Sequence, residues 1–143
     1  MTGGAGNDTF QINSTGFETG TLSPAVVYYG GVVASGASVS TAGFDKITDF
    51  GAGDALYVGG QVASTTSGTN GTDLTWTDQA GLLRGTYSAS ANTFTFSTTG
   101  TDSIYAYDFD GSSTTNDIRA VVLVGYVDSG AADTLTTGLV GTA

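Results

Sequence analysis

Residues 3–11 constrain the fold more than any other stretch of the chain. They read Gly-Gly-Ala-Gly-Asn-Asp-Thr-Phe-Gln and fit the pattern G-G-x-G-x-D-x-U-x, in which U is a large apolar residue. Glycine adopts backbone conformations that other residues rarely adopt, so this loop can turn sharply and direct its carbonyl oxygens toward one centre. Asp8 adds a carboxylate, and an all-oxygen cage suits a hard cation such as Ca²⁺. The stretch therefore predicts a calcium loop that leads into a short strand, with Phe10 in the core.

The composition favours β structure. The 143 residues are enough for one domain with its own core. The chain contains 25 Thr, 14 Ser and 23 Gly, and its apolar positions are rich in Val, Tyr and Phe, which favour strands. We therefore predict an all-β fold.

The charge is strongly negative. Twelve Asp and one Glu stand against only three basic residues, which gives a net charge of −10. Such a surface repels nucleic acid, which proteins bind through Lys and Arg, so we expect no nucleic-acid partner. It also repels itself, and bound cations would relieve that repulsion. The alternative for most of these carboxylates is a solvated acidic surface that keeps the protein soluble.

Several kinds of chemistry are missing from the residue inventory. The chain has no Cys and no His, which excludes disulfides, Ser–His or Cys–His nucleophiles and an H-E-x-x-H zinc site. A carboxylate-pair glycosidase is formally possible, but the scattered acids give no sign of one. No apolar run approaches membrane-spanning length, and residues 1–2 lead directly into the glycine loop without a signal peptide. We therefore expect neither an enzyme nor insertion into a membrane.

The rest of the chain alternates between strand and loop patterns. Residues 25–34 predict a hairpin around Gly30-Gly31 inside a long Gly/Ser/Thr-rich loop region that ends at residue 43. Residues 80–87 predict a short helical turn that becomes a strand. The following pattern predicts a strand at 93–96, a hairpin of 103–109 with 118–125, and a last strand at 133–140. The second strand of this hairpin carries a continuous apolar run, which indicates an interior strand buried on both faces.

In this order the motifs resemble the C-terminal region of RTX-type proteins, as found at the end of serralysin-like secreted proteases. The glycine loop is followed by D-x-I-x-D-F-x-x-G-D-x-L at 45–56, A-G-x-L-R at 80–84, and D-F-D-G at 108–111 with V-V-L-V-G at 121–125. The resemblance implies one compact unit. Residues 1–58 would form the end of a parallel β-roll with calcium loops and an inserted hairpin. Residues 59–143 would form a β-sandwich-like cap of antiparallel hairpins with a predicted secretion signal.

The resemblance also implies a ligand set for Ca²⁺. Ions of a β-roll lie between two turns, and residues 44–58 carry the carboxylates and glycines for a second half-site. Asp45 and Asp49 are four residues apart, so a regular strand would put both carboxylates on one face together with apolar Ile47, which fits one calcium site poorly unless a bulge or turn intervenes. Asp108 and Asp110 are weaker candidates, because their glycine spacing fits a tight hairpin turn better than a calcium loop. The main candidates are Gly4, Gly6, Asp8, Asp45, Asp49, Gly51, Gly53 and Asp54.

The implied function is a non-catalytic calcium-binding module that caps a β-roll and folds in external Ca²⁺. Its partner before folding would be the ABC transporter of a type I secretion system, and its location would be secreted, extracellular or the bacterial cell surface. Two departures from the protease pattern are the long insertion at 13–43 and the non-acidic end at 139–143. Because the chain is rich in Thr, Gly and Ala and poor in Lys, an alternative is a structural module that assembles in an S-layer or adhesin. A calcium-dependent carbohydrate binder is a third hypothesis.

Overall fold

The protein is all-β in the part of the chain that the computed structural model describes, namely residues 1–12, 33–51, 54–58, 80–108 and 118–127. These residues form eight strands and no helix, which confirms the all-β part of the predicted fold class. The strands are β1 Thr9–Ile12, β2 Ser38–Ser40, β3 Asp45–Ile47, β4 Ala55–Val58, β5 Ala80–Ser88, β6 Thr93–Phe96, β7 Asp102–Asp108 and β8 Ile118–Leu123.

Six of these strands form one mixed sheet in the order β2-β6-β5-β7-β8-β3. All neighbours are antiparallel except β8 and β3, which are parallel. The hairpin predicted for 103–109 with 118–125 is confirmed: β7 and β8 pair from Ser103 opposite Leu123 to Asp108 opposite Ile118. The parallel addition of β3 at the edge was not predicted.

Apolar side chains cover both faces of the six-stranded sheet, because strand residues point alternately to opposite sides. In β8, Val121 and Leu123 belong to one buried cluster, whereas Ala120 and Val122 belong to another. The prediction that this strand is interior and buried on both faces is therefore confirmed. We call these groups the first and the second cluster. The first contains Phe10, Ile47, Phe50, Leu56, Leu82, Tyr105, Val121, Leu123 and Tyr126, and the second is built around Leu83, Phe94, Phe96, Ile104 and Val122.

The other two strands, β1 and β4, form a separate parallel pair. Phe10 lies opposite Leu56 in this pair, and both side chains are buried in the first cluster. Phe50 links the parts of the cluster, with its ring 5.9 Å from that of Phe10 and 5.2 Å, edge-on, from that of Tyr126. The parallel pair thus packs against one face of the six-stranded sheet through the first cluster.

The structure differs from the sequence predictions at β5 and β2. β5 is a strand from Ala80 onward, so the helical turn predicted at its start is wrong. A short strand, β2, lies in the region predicted as loop. The hairpin predicted around Gly30-Gly31 and the last strand at 133–140 lie outside the described residues, apart from residues 33–34, which are not in a strand. Among the described residues, no helix has the length and hydropathy needed to cross a membrane.

Candidate functional site

The candidate site lies where residues 1–12 run parallel to residues 45–58. β1 and β4 pair from Thr9 opposite Ala55 to Ile12 opposite Val58, a separation of 46 positions. Hydrogen bonds between the backbone of the first stretch and side chains of the second have the same separation. One example is the bond from Gly3 N–H to the Asp49 carboxylate. We call residues 1–12 the first rung and residues 45–58 the second rung, of which 52 and 53 lie outside the described part.

The beginning of the first rung also follows the second rung's backbone. The Met1 amino group donates a hydrogen bond to the Lys46 carbonyl, and Thr48 N–H donates to the Met1 carbonyl over 3.1 Å. On the other side of β3, Val124 N–H donates to the Ile47 carbonyl over 2.8 Å. β3 therefore lies between the first rung and β8, and it connects the rungs to the six-stranded sheet.

The loop of the first rung needs its glycines for two different reasons. Gly4 and Gly6 have φ of +99° and +127°, in the region that L side chains rarely adopt. Gly3 is needed for close approach, since a Cβ at this position would lie 2.5 Å from the carboxyl carbon of Asp8. The half-buried Asp8 side chain thus folds back over the start of its own loop.

Asp54 fixes the end of the second loop to the first rung. Its side chain is only 5% exposed. One carboxylate oxygen accepts from Asp8 N–H over 2.8 Å, and the other accepts from Gly51 N–H over 2.9 Å. The Asp8 carbonyl in turn accepts from Ala55 N–H over 2.8 Å, at the point where the β1–β4 ladder begins. Both oxygens of this buried carboxylate therefore bind a backbone amide, one from each rung.

Asp49 performs the same task at the exposed start of the second loop. Its Oδ2 accepts from Gly3 N–H over 3.0 Å and from Gly4 N–H over 2.9 Å, and its Oδ1 lies 3.1 Å from Gly3 N. The pKa of Asp49 lies below its ordinary value of 3.8, chiefly because of the Gly4 N–H. Desolvation opposes this lowering, whereas the Gly3 N–H and the Met1 ammonium add to it. The carboxylate is held as an anion by backbone dipoles.

The other predicted site residues have separate environments. Asp45 is half-buried on β3, opposite Val121, and a bend at residues 48–49 separates it from Asp49 as their spacing required. Gly51 has no positive φ, and there is open space where a Cβ would lie. Asp108 ends β7. Gly53, Asp110 and the side chain of Asp108 lie outside the described part of the chain.

The fit to Ca²⁺ differs between the rungs. Asp8, beside the positive-φ glycines Gly4 and Gly6, offers a half-buried oxygen donor of the kind that a hard cation prefers. Asp49 and Asp54 fit less well, because their oxygens already accept hydrogen bonds from amides and so have fewer lone pairs free for a cation. In the described residues, no three acidic or other metal-ligating side chains cluster together.

Asp102 is an important residue that the sequence reasoning missed. It is 6% exposed at the start of β7, and its two oxygens accept from Tyr87 N–H and Gly125 N–H, each over 2.7 Å. It therefore joins β5 to the turn after β8, where Gly125 has φ of +77°. Nearby, Arg84 Nε donates to the Gly100 carbonyl over 2.6 Å. An Asp directly before a predicted strand was the available signal, and it is a weak one.

Comparison with known proteins gives no relative from which a role could be transferred. No family model matches the chain, and no curated protein or solved structure matches it. The functional argument therefore depends on the two rungs, their glycines and their carboxylates.

Proposed function

We propose that this protein is a non-catalytic module that closes the end of a parallel β-roll and responds to calcium. The observation that carries the proposal is the constant separation of 46 positions between the two rungs, maintained from Gly3 and Asp49 to the β1–β4 ladder. The parallel pairing of β1 with β4, with apolar Phe10 opposite Leu56, supports the proposal, because a β-roll would stack its turns in this way.

The contact between the second rung and the six-stranded sheet supports the capping role. A stack of parallel turns ends in a strand edge with unpaired N–H and C=O groups, which invites aggregation unless it is covered. β3 is paired on this side by β8, and the first cluster continues from the rungs into the sheet through Ile47 and Leu123. The mainly antiparallel sheet thus completes both the hydrogen bonding and the core of the last turn.

Calcium enters the proposal through the first loop. Asp8, with carbonyl oxygens of the loop around Gly4 and Gly6, would hold the ion, which neutralises carboxylate charge when it is bound. Extracellular modules typically bind Ca²⁺ with a Kd of about 10⁻⁴–10⁻³ M. At free calcium 100-fold above Kd, one site would add about 2.7 kcal/mol to the free energy of unfolding. A chain with a net charge of −10 would then be more stable outside the cell than at cytosolic calcium, where its lower stability would favour export.

Secretion completes the proposal. The order of motifs supports export of the unfolded chain by the ABC transporter of a type I system, followed by folding outside the cell or at its surface. The absence of His and Cys from the sequence supports a role without catalysis. The residues in which we propose the secretion signal lie beyond residue 127, outside the described part of the chain.

The test is thermal unfolding of the full chain with Ca²⁺ and with EGTA. We expect EGTA to lower the melting temperature sharply, and Asp8→Ala to lower it in Ca²⁺ to nearly the same value. Thr9→Ala is the matched control, because Thr9 is the exposed neighbour of Asp8. Replacement of Ca²⁺ by Mg²⁺ should restore little stability, since Mg²⁺ demands a tighter octahedral site. A melting curve that EGTA leaves unchanged would falsify the calcium response.

A structural role in an S-layer or adhesin is the second candidate. The observation in its favour is that β1, in the described part of the chain, pairs on one side only, with β4. Such an edge can accept a strand from a neighbouring subunit. Light scattering against calcium concentration separates the two roles: growth into large assemblies supports the S-layer role, whereas a constant monomer supports a cap alone.

A further inference from the structure

We propose that Asp49 and Asp54 join the two rungs as hydrogen-bond acceptors and not as calcium ligands, so that this joint forms without a metal ion. The proposal refines the proposed calcium response, because it restricts calcium binding to the loop around Asp8. It does not require that calcium binds there, since the contacts that carry it lie within the two rungs.

Asp54 binds backbone amides of both rungs. Its carboxylate is buried, and each of its oxygens accepts an N–H, one from Asp8 of the first rung and one from Gly51 of its own loop. Hydrogen bonds to an ionised acceptor are about twice as strong as neutral ones. A calcium ion that turned this carboxylate away would leave two backbone N–H groups without acceptors, at a cost of roughly 1–3 kcal/mol each.

Hydrogen bonds from first-rung amides to a carboxylate occur at both ends of the second loop. Gly3 N–H and Gly4 N–H both converge on Oδ2 of Asp49, as successive amides do in backbone nests that bind anions. The bonds from Gly3 to Asp49 and from Asp8 to Asp54 share the separation of 46 positions. In both, the carboxylate belongs to the second rung and the amide to the first.

The second loop lacks glycines at the positions that correspond to Gly4 and Gly6 of the first loop. At a separation of 46 positions, Phe50 stands where the first rung has Gly4, and Ala52 stands where it has Gly6. Gly4 and Gly6 have positive φ, whereas Phe50 does not and is buried in the first cluster. The second rung is thus not a repeat of the first loop, and its carboxylates serve the neighbouring backbone.

The test is amide hydrogen exchange of the full chain, followed residue by residue by NMR in EGTA and in Ca²⁺. In the unsubstituted protein we expect the amides of Asp8 and Gly51 to be protected in EGTA. Asp54→Ala should accelerate the exchange of both amides roughly tenfold or more, by a similar factor with and without calcium. Asp49→Asn, at an exposed site, should accelerate Gly3 and Gly4 and provides the test if Asp54→Ala does not fold.

Asp45→Ala is the matched control, because it removes a carboxylate of the second rung that accepts none of these bonds. It should leave the four amides protected. Two outcomes overturn the proposal: amides that become protected only when Ca²⁺ is added, or an Asp54→Ala variant that matches the unsubstituted protein in EGTA and loses only the stabilisation by calcium. If calcium stabilises nothing but the amides are protected in EGTA, the calcium response fails and the metal-free joint stands.

Discussion

The two rungs and the six-stranded sheet both contain a buried aspartate that binds two backbone amides, yet they are stabilised differently. Asp102 lies in a sheet whose faces are covered by the two apolar clusters. Asp54 lies beside loops in which glycine conformation and hydrogen bonds determine the shape. The same carboxylate–amide contact therefore supplements a core in one region and replaces part of one in the other. Substitutions should therefore separate the regions by size of effect and by dependence on calcium.

The largest effect is expected from Phe94→Ala in the sheet. Phe94 is fully buried in the second cluster, with its ring 5.3 Å from that of Phe96. Its truncation should lower the free energy of unfolding by about 3–5 kcal/mol, because it removes apolar contacts and leaves a cavity. The measurement is denaturant unfolding, and Phe94→Leu, which keeps most of the volume, should lose less. An equal loss in Ca²⁺ and EGTA is expected, and a loss that depends on calcium would break the distinction between the regions.

A smaller effect is expected from Gly4→Ala in the first rung. Gly4 has φ of +99°, and a left-handed conformation costs an L residue about 1–2 kcal/mol. Gly51→Ala is the matched control in the second rung, since this glycine lacks a positive φ and has open space for a Cβ. Thermal unfolding of the two variants should show a clear loss for Gly4→Ala and almost none for Gly51→Ala. Equal losses would contradict the assignment of backbone strain to the first loop.

The smallest effect is expected from acid at Asp49. Because its folded pKa lies below 3.8, its carboxylate stabilises the fold fully above the pKa of the unfolded chain. That contribution is lost as the pH falls from about 3.8 through the lowered folded pKa. Melting temperatures of the unsubstituted protein and Asp49→Asn should differ by a constant amount above about pH 5 and converge in acid. Two profiles of melting temperature against pH that stay parallel down to the acid limit would show that the ionised Asp49 does not stabilise the contact between the rungs.

Local patterns predicted the parts of the fold that depend on neighbouring residues. The alternation at 93–96 and the apolar run within 118–125 predict β6 and β8, because residue period and turn chemistry act over short distances. Phe10 is in the core, as the pattern of the glycine loop predicted. β2 has only three residues, which is too few to show a period. The parallel pairing of β3 with β8 was equally invisible, since no turn sequence connects them.

At the site, the backbone conformation was predictable from the sequence, whereas the contacts of the side chains were not. The G-G-x-G spacing predicted where the backbone must turn, and Gly4 and Gly6 have positive φ there. The sequence placed Asp49 and Asp54 near the loops but did not say where their oxygens point. A cation and a set of backbone N–H groups both attract a carboxylate, so the same residue type in the same loop fits either. Asp102 escaped prediction because its partners, Tyr87 and Gly125, are distant in sequence.

The parallel contact between β3 and β8 also has a consequence for the order of events during folding. Asp45 pairs with Val121, which is 76 positions later (121 − 45), whereas β5 and β6 meet across a turn only a few residues long. Contacts between distant residues form slowly, because the loop must lose its entropy before the contact is gained. We expect the antiparallel strands to assemble first. β3 would then pair with the free edge of β8, and the first rung would pair with β3 last.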